Sequence, residues 1–152
     1  MVEQRLAELG IRLPEAARPS FNYLPVTLHR GVAYVAGQLP KVDGEVKVQG
    51  KVGAEVDVES ARAQARICVM QGLACLRSAL GSLDRIEQVL RINGYVASAP
   101  GFNDQPKVLD AASDLLVEIL GERGRHARAA VGVAELPRNA AVEIEMTVAF
   151  RD

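Results

Sequence analysis

Arg128-Ala129-Ala130-Val131-Gly132-Val133-Ala134-Glu135-Leu136-Pro137-Arg138-Asn139-Ala140-Ala141-Val142-Glu143-Ile144-Glu145 reads as two β-strands joined by a turn at Leu136-Pro137-Arg138-Asn139. Side chains alternate across a strand, so Ala129, Val131 and Val133 share one face while Arg128, Ala130, Gly132 and Ala134 share the other. In the second strand Val142, Ile144, Met146, Val148 and Phe150 alternate against Glu143, Glu145, Thr147 and Ala149. The pattern predicts one packed core face. It predicts a second face of small residues, carboxylates and a single guanidinium, with room for a ligand. Pairing through the turn sets Glu143 near Val133. Arg128 then lies five residues along, roughly 16 Å away. Either a bulge or twist brings Arg128 and Glu143 together, or one of them faces a neighbouring subunit.

The chain around this segment has 152 residues, enough for one domain with a real core and too few for two ordinary ones. Its residues are 49% hydrophobic, only 4% aromatic and without tryptophan, so Ala, Val and Leu must fill the interior. A net charge of -1 gives no long-range attraction for polyanions and weighs against nucleic acid as a main partner. Cys68 and Cys75 fall within one helical pattern, roughly 10 Å apart, which is beyond disulfide reach. They read as reduced core residues, as in the cytosol. With no CxxC pair and no cysteine–histidine cluster, no metal site is expected. Neither a secretory leader nor a run of membrane length is legible, so a cytoplasmic protein is expected.

Residues 1–25 read as an N-terminal arm and 26–152 as the core. Residues 2–10 suggest a short amphipathic helix with Leu6 and Leu9 inward, ending at Gly10. Pro14, Pro19 and Pro25 keep the next stretch irregular. Two strands follow near Val26–Arg30 and Val32–Gln38, then a polar, glycine-containing loop from Lys41 to Asp57. Ala61, Ala65, Cys68, Val69, Gly72, Leu73, Leu76 and Leu80 form one helical stripe, with Asp57 or Ser60 to cap it and Gly81 to end it. A strand near Ile86–Ser98 and a helix from Gly101–Pro106 to Gly121, burying Leu109, Ala112, Leu116 and Ile119, lead to the final pair of strands, read as a hairpin. This order predicts an α+β fold with one mixed sheet and two helices packed on one of its faces. The uncovered face calls for a symmetric oligomer.

The Arg128–Glu145 block also resembles the C-terminal signature of the Rid family, the YjgF-like reactive-intermediate deaminases: an arginine, small residues, a Leu-Pro turn and an E-I-E run. Val35-Ala36-Gly37-Gln38-Leu39-Pro40 is similar to the family's S-G-Q-I/L-P strand end, and Gln64-Ala65-Arg66 to a third block. The resemblance implies a chorismate-mutase-like homotrimer with ligand sites in clefts between subunits. It implies hydrolysis of 2-imino acids or their enamine tautomers to 2-keto acids and ammonia, without a cofactor. On this basis Arg128 anchors the substrate carboxylate, and Glu143 holds or activates water. The Ala130 carbonyl contacts that water, while Gly37 and Tyr23 complete the pocket. Ala130 stands where many relatives carry cysteine and Ala36 where serine is common. Pro106 falls near a family asparagine.

These departures mark a divergent subgroup. They keep open a second reading, a carboxylate-binding or regulatory trimer without catalysis. RNA cleavage, a label attached to the family, fits poorly with near-neutral charge and few aromatics. His29 and His126 are the only histidines, and neither has a serine or cysteine at nucleophile-like sequence spacing. His126, two residues before Arg128, shares its strand face.

Overall fold

The computed structural model describes residues 1–18 and 21–152; the expectation resting on Pro19 lies outside them. A main sheet of five strands is ordered β1-β2-β7-β5-β6, where β1 is Val26–His29, β2 Val32–Gln38, β5 Ile86–Ala97, β6 Ala127–Val133 and β7 Val142–Phe150. Only the β5–β6 pair is parallel, so the sheet is mixed. Helices α2 (Val58–Leu80) and α3 (Gln105–Leu120) pack on it, and a short α1 (Val2–Glu8) buries Val2 and Leu6. A small separate hairpin joins β3 (Lys41–Val42) to β4 (Glu45–Val46).

The local rules hold where the apolar spacing is strong. Every residue of the predicted α2 stripe is buried. Its N-terminus is closed by the Asp57 carboxylate, which accepts the Ser60 N–H at 2.7 Å, and Gly81 ends it in the left-handed region at φ 81°. Leu109 of α3 lies against the backbone of Gly94 so closely that a Cβ there would overlap its isobutyl group. The helix therefore sits directly on β5.

Two expectations are corrected. Val133 and Val142 do not close a hairpin: β5 lies between β6 and β7. The eight residues from Ala134 to Ala141 form a long return rather than a tight turn, and they carry β7 back to the sheet centre beside β2. This reverses the faces assigned to β6. Arg128 aligns with Ile92, which aligns with Met146, and both of those are buried under the helices. Val131 aligns with Tyr95, which aligns with Glu143, and Val131 is 46% exposed. Arg128, Ala130 and Gly132 thus face the helical side, and Ala129, Val131 and Val133 the open one. The second correction concerns 41–57. It is not only a solvated loop, because Val46, Val52 and Val56 are buried and Val52 bridges to Ser98. Three valines spaced among the glycines tie the segment to the core.

Among the described residues no element covers the sheet's other face. It presents Tyr34, Val131, Asn93, Tyr95, Glu143, Glu145 and Thr147.

Candidate functional site

At one end of that open face, Tyr23, Gly37 and Glu143 line a cavity of about 180 Å³ together with Arg18, Lys41, Gln71 and Arg138. A β-bulge makes it. Val35 aligns with Met146 but Gln38 aligns with Ile144, so β2 spends an extra residue against β7 there. The slack brings Gly37 onto Glu143, and a Cβ at position 37 would collide with the Glu143 carboxylate. Only glycine lets the carboxylate lie across this strand.

Glu143 is half-buried and is paired with neither Arg91 nor Arg138, the partners a structural role would have given it. Burial pushes its carboxyl up from the ordinary range, and the charge of Glu145 pushes it further in the same direction. Among the described residues no hydrogen bond offsets either effect. Glu145, two residues on, is the opposite case. Its Oε1 accepts from Tyr95 Oη at 2.7 Å and Asn93 Nδ2 at 3.0 Å, and Arg91 Nε in turn donates to Asn93 Oδ1 at 2.9 Å. Donation to Glu145 raises the Tyr95 phenol above its usual range. Glu145 is therefore anchored, while Glu143 is left as a basic carboxylate aimed at the cavity.

Arg128 and Ala130 are not in this cavity. Arg128 lies on the edge strand β6, across β5 from β7, on the opposite face of the sheet from Glu143. Two strand spacings and three residues of offset separate the two backbones by roughly 14 Å. The guanidinium is held against α3: Nη1 donates to Asp110 Oδ1 at 2.9 Å and Ser113 Oγ at 3.1 Å, and Nη2 to the Pro106 carbonyl at 3.4 Å. Asp110 and Ser113 are one helical turn apart, which puts both on the same face of α3. The side chain keeps 21% of its surface open. It is pinned, yet not enclosed.

The same cluster gives His126 a hydroxyl partner that its sequence spacing did not show. Ser113 Oγ is 2.9 Å from His126 Nε2, and His126 Nδ1 is 2.6 Å from the Gly124 carbonyl. The carbonyl can only accept, so Nδ1 carries the proton and Nε2 accepts from Ser113. Sequence spacing hid this contact because the two residues are thirteen positions apart, across a helix-to-strand connection. Lys41, Arg18 and Arg138 were also missed as cavity residues. Only the turn chemistry of Leu136-Pro137-Arg138-Asn139 carried a signal, since a conspicuous turn beside a strand glutamate points to a site rim. Among the described residues no group of three or more His, Cys, Asp or Glu is placed to hold a metal, and no helix is long and apolar enough to cross a membrane.

Residues 3–148 match the family profile described as "YjgF/chorismate mutase-like, putative endoribonuclease". Protein TCP17 of Trypanosoma cruzi is 44% identical over 148 residues, covering 97% of this chain and 92% of the relative. The crystal structure of Atu1372 from Agrobacterium tumefaciens, a protein of unknown function, is 48% identical with a TM-score of 0.92, over 99% of this chain and 92% of that one. Escherichia coli TdcF, solved with bound serine, shares the fold at 22% identity and a TM-score of 0.64, over 93% and 94% of the two chains. The fall in TM-score between the last two places this chain in a subgroup apart from TdcF.

Proposed function

Because the chain belongs to the YjgF/chorismate mutase-like family, we propose that it hydrolyses reactive 2-imino acids, or their enamine tautomers, to 2-keto acids and ammonia. The observation that carries this reading is the Glu143 carboxylate: half-buried, without a partner among the described residues, raised in basicity, and lodged on Gly37 in a small cavity beside Tyr23. Such a carboxylate suits proton transfer to and from water near neutral pH. Glu143 takes a proton from water as the water oxygen bonds to C2 of the protonated imine. It then returns a proton to the nitrogen; the C2–N bond breaks, ammonia leaves, the carbinol O–H gives its proton back to the Glu143 carboxylate, and C2 becomes the keto carbon. The iminium carbon is already electrophilic, so positioning supplies most of what is required.

Arg128 binds the substrate carboxylate through its planar fork. Since it stands on the far side of its own sheet, it serves the Glu143 cavity of a neighbouring copy, in a homotrimer that also covers the open sheet face. The Ala130 backbone carbonyl, on the same edge strand, accepts from the attacking water. The pairing of Arg128 with Asp110 and Ser113 fixes it before substrate arrives. A cytoplasmic location is part of this reading and agrees with two buried, unbridged thiols.

A non-catalytic role is the alternative, favoured by Ala36 and Pro106 at positions where relatives carry polar side chains and by the amino acid bound to TdcF. The deciding experiment generates 2-imino acids in place with an amino-acid oxidase and follows their capture by semicarbazide. Wild type is expected to divert the imine from the trap, and Arg128→Ala to lose at least about a hundredfold in kcat/KM. A folded wild type that leaves the trapping rate unchanged across the panel abandons the deaminase reading for the binding one.

A further inference from the structure

The cavity carries more positive charge than a substrate with one carboxylate needs. Arg18, Lys41 and Arg138 line it, and Glu143 is the one acidic residue among its lining. None of the three cations is in an ion pair among the described residues. They are therefore available to an anion. The α-carboxylate is not that anion, since the proposed reading gives it to Arg128.

The backbone has been bent to keep Arg138 there. Arg138 and Asn139 both lie in the left-handed region, at φ 56° and 57°, where side chains other than glycine stay only if their surroundings hold them. Those surroundings are present. The Asn139 N–H donates to the Leu136 carbonyl at 3.2 Å, the Ala140 N–H to Pro137 at 3.1 Å, and the Gly50 N–H to the Asn139 carbonyl at 3.0 Å. Ala140 also bridges to Gln49. Lys41 is tied in similarly, because the buried Gln71 donates its Nε2 to the Lys41 carbonyl at 2.8 Å. Two of the three cations thus stand on backbone pinned by hydrogen bonds, as a selective site requires.

We propose that this cavity accepts the side-chain carboxylate of a dicarboxylic 2-imino acid, of four or five carbons, with Arg138 and Lys41 as its specificity-determining cations and Arg18 closing the rim. The inference rests on the imine-hydrolysis reading for the reaction and on the cavity alone for the preference. Its small volume, about 180 Å³, suits one carboxylate and a short methylene stem. The cations also offset the repulsion that Glu143 would exert on a second negative group.

The test compares imines generated in place from aspartate and glutamate with those from alanine and leucine. Wild type is expected to show kcat/KM at least about tenfold higher for the acidic imines, the worth of a charge-assisted contact. Arg138→Asn keeps a residue that tolerates the left-handed region and removes the cation, and Lys41→Gln removes the other. Each should bring the acidic-to-alanine ratio down toward one, mainly through KM. An acidic imine no better than the alanine one, or a ratio untouched by both substitutions, overturns the inference. If no imine is hydrolysed, the reaction reading fails by itself, and calorimetry with 2-oxoglutarate against 2-oxobutanoate then decides the pocket. Tighter binding of the dicarboxylate, lost in Arg138→Asn, upholds it, and equal or absent binding of the two overturns it.

Discussion

The two polar regions of this molecule are built on opposite plans. Around Glu143 the groups are left open: a carboxylate pushed up by burial and by Glu145, three cations without ion pairs among the described residues, and a glycine backbone with that carboxylate lying over it. Around Arg128 they are closed: the guanidinium contacts Asp110, Ser113 and Pro106, Ser113 is in turn held by His126, and His126 by the Gly124 carbonyl. An open, strained arrangement is suited to receive a ligand. A pinned one is suited to present a single group without loss of freedom on binding. That the two lie on opposite faces of one sheet means neither completes the other inside one chain.

The sharpest way to break that comparison is to separate the halves genetically. Arg128→Ala and Glu143→Ala are each expected to be inactive. Co-expressed, they should regain turnover at least about tenfold above either alone, because a mixed assembly contains sites with an intact Arg128 from one chain and an intact Glu143 from the next. Failure to regain any, from mixed oligomers shown to form, would place the whole site within one chain.

A smaller effect is expected from Gly37→Ala. The new methyl group must displace the Glu143 carboxylate, the far end of a flexible side chain, so stability should change by no more than about 1 kcal/mol. Turnover should fall by about tenfold or more, since a misplaced base loses its water. Equal activity in the alanine variant would mean that Glu143 does not work from this position.

The smallest effect is thermodynamic. The Glu143 carboxyl is raised in the folded state, so the folded chain binds its proton more tightly than the unfolded chain does. Stability therefore falls as pH rises through the ordinary carboxylate range toward the raised value. Glu143→Gln removes the buried charge, so it should raise Tm by a few degrees at pH 7 to 8. The gain should vanish by about pH 3, where glutamate is protonated in both states. A gain of equal size at both pH values would show that packing, not ionisation, is responsible.

Legibility followed the strength of the local signal. Helix α2 was readable to its caps because an apolar stripe, an Asp57 cap and a Gly81 stop all agree. Tyr23, Gly37 and Glu143 were named from motif alone, and the structure gathers them in one cavity. What misled was adjacency in sequence. Val133 and Val142 look like hairpin partners because a turn separates them, yet β5 lies between their strands and pairs with both.

By itself the sequence determined the helices and the strands of the main sheet, the α+β class, the family, and the chemical character of the residues at issue, since periodicity, caps and motif are properties of neighbours along the chain. Only the tertiary structure decided that β5 separates β6 from β7, that Arg128 faces α3, and that Ser113 meets His126. It also decided that Arg138 and Lys41 stand beside Glu143. Those are contacts between residues far apart in sequence, fixed by the order of strands in the sheet and by a single bulge at Gly37, and no local pattern encodes either.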